Sequence, residues 1–106
     1  MKNAYGVTLD RHGYAPSILQ DYERCFICYK EGDLQRHEVF NASNKTRSKE
    51  LGLWVNLCPS CHDDVHTRKP ELRKTLKQIA QAKAMDYYDW TFEEFRAEFG
   101  KSYLYE

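Results

Sequence analysis

A formal net charge of zero, from 16 basic and 16 acidic residues in a chain of 106, excludes a protein that holds nucleic acid by global positive charge. The length predicts one domain over 1–106 with a modest core, small enough for a bound metal to supply much of its stability. No run of about 18 apolar residues is present to span a bilayer, and the opening MKNAYGVTLDRHGY has no apolar signal segment, so a soluble, intracellular chain is expected.

Residues 1–24 read as an N-terminal arm. Tyr5, Gly6, Gly13, Tyr14 and Pro16 make its first part irregular, with His12 a surface-loop histidine, and 17–24 suit a strand or a short helix. CFICYKEGDLQRHEVF then predicts a metal knuckle at Cys25 and Cys28, a turn at Gly32 and Asp33, and a strand through LQRHEVF. NASNKTRSKE, 41–50, is polar and rich in turn formers, which predicts a loop. LGLWVNL resumes as an apolar strand with Trp54, Val55 and Leu57. A helix is predicted to begin at CPSCHDDVH, with Pro59 at its first position and Asp63 and Asp64 near its positive end.

Pro70 ends that helix and opens another. Leu72, Leu76, Ile79 and Lys83 recur at helical spacing, with Ala80, Ala82 and Ala84 between them, so an amphipathic helix is predicted over 70–88. In TFEEF, Thr91 and Glu94 form the signature of a capping box, and Gly100 stands where a C-terminal cap is wanted. Phe92, Phe95 and Phe99 would share one core-facing stripe. Together, 68–106 form a helical extension.

Charge is unevenly spread. Residues 66–83 carry Arg68, Lys69, Arg73, Lys74, Lys77 and Lys83 against Glu71 alone, whereas 86–106 carry six acids, ending at Glu106, against Arg96 and Lys101. Such polarity suits a basic face turned to a polyanion, but on charge alone two solvated helix faces are the favoured reading.

A structural zinc site takes four nitrogen or sulfur ligands in a tetrahedron, and Cys25, Cys28, Cys58 and Cys61 fill that requirement alone. In a reducing compartment two CxxC pairs serve as thiolate ligands rather than disulfides. The 29 residues between the pairs exceed the usual ribbon interval of about 15–20, which implies an inserted segment with its own task. Three histidines remain: His37 on the intervening strand, and His62 and His66, four apart on one helical face. A second ion held by these imidazoles, with room for water, would be a Lewis-acid site. Lys45, Arg47 and Lys49 could hold a phosphate backbone beside it. These features favour phosphodiester hydrolysis over peptide hydrolysis, since no HExxH helix is present.

The order CxxC, a strand with His37, Glu38 and Val39, a further strand, then CPSCH and His66 resembles the HNH endonucleases. The stretch QRHEVFNASNKTRSKELGLWVNLCPSCH, with the ending TFEEFRAEFGKSYL, is most similar to the small four-cysteine members found in bacteriophages. The resemblance runs from about Cys25 to His66. It implies an α+β fold, a zinc-stapled ββα-metal finger (treble-clef-like, His-Me type) over 25–67 with additional C-terminal helices. The four cysteines would bind structural Zn2+, and His62 a catalytic ion such as Mg2+, Mn2+, Ni2+ or Zn2+, with His66 either a ligand or a contact to the scissile phosphate.

His37 falls where the family places a metal ligand, and Glu38 where it places the general-base histidine. Two assignments follow: Glu38 activates water while His37 binds metal, or His37 is the base and the ion relies on His62 and His66. Strand alternation sends neighbours to opposite faces, so both enter the site only if the strand kinks. The family's orienting asparagine has no direct counterpart, and Asn56 or Asn44 would substitute. The implied function is a metal-dependent DNA endonuclease of low sequence specificity, acting on double-stranded DNA in the cytoplasm of a bacterial host. Arg68, Lys69, Arg73, Lys74 and Lys77 would track the backbone, and a homodimer or a phage packaging or recombination partner would fit. The alternative is a non-catalytic zinc-stabilised DNA-binding or adaptor module.

Overall fold

Two short strands, β1 (Gln35–Glu38) and β2 (Trp54–Leu57), pair antiparallel, and the rest of the chain is arranged around them in a computed structural model that describes residues 1–105. Helices α1 (Lys45–Glu50), α2 (Pro59–Asp63), α3 (Pro70–Tyr88) and α4 (Phe92–Phe99) complete a small α+β fold. In the β1–β2 register Gln35 faces Leu57, Arg36 faces Asn56, His37 faces Val55 and Glu38 faces Trp54. Because side chains alternate along a strand, Gln35 and His37 share a face with Val55 and Leu57, while Arg36 and Glu38 share the other with Trp54 and Asn56. The four pairs are continuous, so the strand has no kink between His37 and Glu38.

The first face closes the core. Val39, Phe40, Leu53, Val55 and Leu57 pack against Val65, against Leu76, Ala80 and Ala84 of α3, and against Phe95 and Phe99 of α4. Phe40 meets Phe99 and Phe95 with ring centroids 4.6 and 5.5 Å apart, and Trp90 seals the edge. Burying each such ring is worth about 1.5–3 kcal/mol, which makes this cluster the main apolar anchor of the C-terminal helices.

α3 has the predicted bounds, but its buried stripe is Leu76, Ala80 and Ala84, with Leu72 half-buried; Ile79 is exposed. α4 begins with both hydrogen bonds of the capping box, Thr91 Oγ1 accepting from the Glu94 amide and Glu94 Oε1 from the Thr91 amide, and it ends at Gly100 in the left-handed region. Phe95 and Phe99 are buried and Phe92 is half-buried.

Three expectations are corrected. Residues 41–50 are not a loop: a 3-10 turn, Ala42–Asn44, leads directly into α1. The buried Ser48 hydroxyl accepts from the Phe40 amide and donates to the Leu53 carbonyl, and that fixes α1 between the two strands without any apolar periodicity. Residues 17–24 form neither strand nor helix but bends that lie along β2. Asp63 and Asp64 are not in the first turn of α2, which contains no acid; they lie at its far end.

The N-terminal arm is fastened by backbone bonds. Ala15 N–H donates to Lys49 and Ile18 N–H to Gly52, while Trp54 Nε1 donates to the Ala15 carbonyl. At Gly52 (φ +74°) a Cβ would stand 2.4 Å from the Pro16 carbonyl oxygen, so only glycine allows this approach.

Candidate metal centres

The cysteine cluster joins the two knuckles. Cys25 and Cys28 flank a turn before β1, and Cys58 caps the N-terminus of α2, with Pro59 at the first helical position and Cys61 one turn on. The four sulfurs lie within 4.8 Å of one another, and those of Cys28 and Cys58 are 3.7 Å apart. Zn–S bonds of about 2.3 Å set tetrahedral sulfur separations near 3.8 Å, so the set is dimensioned for such an ion.

In each pair the later amide, Cys28 or Cys61, donates to the earlier sulfur at 3.5 Å. Burial resists ionisation of Cys25, yet amides of Cys28, Cys58 and Ile27 outweigh it and bring that thiol down to about 6, whereas burial pushes the Cys61 thiol up. No disulfide links the four. They could hold a structural metal ion such as zinc, with no ligand position left over.

The second cluster uses the same short run of chain. His62 is in α2 and His66 in the turn that follows, Asp64–Arg68, which is a turn of π-helix closed by the Lys69 amide on the Asp64 carbonyl. Their Nε2 atoms approach to 2.9 Å, two ring nitrogens that share either a proton or a cation. His37 enters from β1, with its ring 5.3 Å from that of His62 and 5.2 Å from that of His66. One ligand atom from each of the three lies within 4.8 Å of the others.

His37 is 3% exposed, and its Nε2 is buried with no hydrogen-bond partner. An orphaned polar atom of this kind costs about 1–3 kcal/mol, and a cation would give it a partner. Burial, then the neighbouring His62, His66 and Lys77 charges, hold the His37 imidazole down to about 4, so it is neutral near pH 7. His62 is lowered too, first by burial and then by His66, with Glu38 and Asp63 pulling the other way. Neutral imidazoles are the form that binds metal. Gln35, two residues before His37 on the same strand face, contacts His62 Nδ1 through its Oε1 at 2.5 Å, which fixes the tautomer and turns Nε2 toward the cluster. A cavity of 420 Å³ opens beside it, with Gln35, His62, Asp63, His66 and Arg68 among its lining residues.

Glu38 is not brought into this cluster. Its carboxylate sits on the other strand face, accepting from the Tyr14 hydroxyl at 2.6 Å with Lys45 Nζ at 3.6 Å. Asn56 is on that face as well; its amide N–H donates to Gln20 and its carbonyl accepts from the Phe26 amide. Asn44 donates its side chain to the Phe99 carbonyl, tying α1 to the end of α4. Neither asparagine side chain reaches the histidines.

The basic candidates divide. Arg68 is paired with Asp63 and Asp64, Lys69 with Asp64, Lys45 with Glu38, and Arg47 with Glu98. Lys49 lies over the Tyr14 ring, and Arg73, Lys74 and Lys77 have no acidic partner among the described residues. Alternation along β1 was a signal that could have located Gln35 beforehand; nothing in the sequence points to Tyr14, which lies 24 residues from its partner. Comparison of the chain with protein-family models, with curated proteins and with solved structures finds no match. No helix among the described residues is long and apolar enough to cross a membrane.

Proposed function

We propose that the protein is a metal-dependent DNA endonuclease of low sequence specificity, built on a ββα-metal finger of the HNH type. The observation that carries this reading is the convergence of buried His37, whose Nε2 has no partner, with His62 and His66 beside an open cavity. The antiparallel β1–β2 pair followed by α2 supports the same reading, as does the likeness of QRHEVF and CPSCH to the small phage proteins, which would act within a bacterial cell. His37, His62 and His66 would hold the ion, and Gln35 keeps His62 in the ligating tautomer.

When bound, a divalent ion there supplies Lewis acidity toward a phosphoryl oxygen or leaving group. Of the two assignments for the base, the burial of His37 among the other imidazoles supports its role as a ligand, and Glu38, on the opposite strand face, would take the proton of the attacking water only if that end of β1 turned toward the ion. Tyr14 and Lys45 hold the Glu38 carboxylate at the end of β1. Lys49, Arg73, Lys74 and Lys77, the candidates not neutralised by acids, contact backbone phosphates.

Nicking of supercoiled plasmid with added Mg2+, Mn2+ or Ni2+ tests this. Activity should appear with at least one ion and vanish in His62→Ala, which should keep its zinc and its fold. A folded, zinc-loaded protein that nicks under none of these ions would sink the enzyme reading.

One observation favours a second reading, a non-catalytic zinc-stabilised DNA-binding or adaptor module: Glu38 faces away from the histidines and is engaged by Tyr14 and Lys45. That module would retard DNA at low salt without cutting it.

A further inference from the structure

At the start of α3 a second cavity, of 200 Å³, is lined by Pro70, Arg73, Lys74, Lys77, Lys101 and Tyr103. Four cations surround it, and none forms an ion pair with any described carboxylate. This sets it apart from the neighbouring Arg68 and Lys69, which are neutralised locally. The ammonium groups of Lys77 and Lys101 both stand over the Tyr103 ring, 5.2 and 4.9 Å from its centroid, so the C-terminal segment folds back and adds charge to the helix. That segment is itself held: Tyr103 N–H donates to Gln81, and Gln78 donates to the Tyr103 carbonyl.

Crowding like charges without a counterion is unfavourable. Burial, and then the charges of Arg73 and Lys101, work against the Lys77 ammonium. A bound anion would relieve it. The volume lies below the ~300 Å³ at which small-molecule pockets begin, which suits one phosphate group better than a nucleoside. The cavity also borders the histidine cluster, since Arg73 donates to the His66 carbonyl at 3.2 Å and the Lys77 charge is felt by His37.

We propose that the cavity between α3 and the Lys101–Tyr103 segment is an anion subsite that grips one backbone phosphate of DNA next to the phosphate presented to the histidines. The identity of the polymer rests on the nuclease reading; the anion subsite does not. Lys101 and Tyr103 become binding residues, although they lie in the acid-rich end of the sequence.

The test is the salt dependence of binding to a short fluorescein-labelled DNA duplex, followed by anisotropy from about 50 to 200 mM salt, without added divalent ion. Each phosphate contact contributes about 0.9 to the slope of log K against log salt. Lys77→Gln combined with Lys101→Gln should lower the slope by about one and weaken binding about tenfold at ~50 mM salt, while Lys83→Gln, on the same helix, should change neither. If the double variant does not fold, Lys74→Gln should lower the slope in the same direction.

A double variant with wild-type zinc content and thermal midpoint, and a slope no different from that of Lys83→Gln, overturns the proposal. So does protection of the cavity by inorganic phosphate with the DNA slope unchanged, which would mark a site for free phosphate. A lowered slope without any nicking supports the subsite and counts against the nuclease; nicking with an unchanged slope does the reverse.

Discussion

The cysteine cluster and the histidine cluster draw ligands from the same ten residues, LCPSCHDDVH, and from the two ends of one upstream segment. They differ in what completes them. The cysteines are four, and backbone amides already serve two of the sulfurs. The histidines are three, one ring nitrogen has no partner, and the cavity beside them opens to solvent. The first set closes on itself and can only hold the knuckle to the helix. The second, if it holds an ion, supplies three ligands of the usual four and leaves a position open, as the proposed function requires. Ligand count and closure, more than ligand type, separate the two clusters.

The largest test of that division is Cys61→Ala. Binding of a structural zinc is worth on the order of 10 kcal/mol in small domains, so this variant should lose zinc and its cooperative melt, as followed by circular dichroism and metal content. His66→Ala, by contrast, should melt within a few degrees of wild type. Equal damage from both would erase the distinction.

A smaller effect should come from His37→Leu. It removes an orphaned nitrogen that costs about 1–3 kcal/mol, so the thermal midpoint of zinc-loaded protein should hold or rise while binding of a second cobalt ion is lost. The pH dependence sharpens this. In the unfolded chain His37 protonates near 6.5, in the folded chain only near 4. Between those values the unfolded state binds a proton the native state refuses, so stability falls as pH falls through that window and levels off below it, by up to about 3 kcal/mol. The difference between wild type and His37→Leu should show that slope, and a flat difference would contradict the burial of a neutral imidazole.

Tyr14→Phe should have the least effect, about 1 kcal/mol from one hydrogen bond to Glu38, by denaturant titration. If Glu38 is a base held in place by Tyr14, nicking should fall more steeply than stability.

Features encoded within a few residues were legible in the sequence. Pro70 and the apolar spacing after it set the bounds of α3, and Thr91, Glu94 and Gly100 set those of α4, because caps and helical periods are local. The two CxxC pairs and the His62–His66 pair were legible because those spacings are local as well, and the structure draws the pairs together and adds His37 to the histidines. What was hidden depends on distant partners. α1 forms in a polar segment because Ser48 satisfies backbone groups of Phe40 and Leu53. Ile79 is displaced from the core face by the small Ala80 and Ala84, on which the core packs. The π-turn widens the helix just where His66 must reach His62, and single π-turns of this kind recur at functional sites. No periodicity announces it.

Gly52 acts through excluded volume alone. The ion pairs around the arm weaken in salt and titrate with acid, but the hard-sphere limit between Pro16 and position 52 does neither. How near the arm can lie to the hairpin is therefore bounded by geometry that no buffer changes. Any side chain at 52 would lift the arm and carry Tyr14 with it, so the least chemical residue in the chain governs how one carboxylate near the histidines is held.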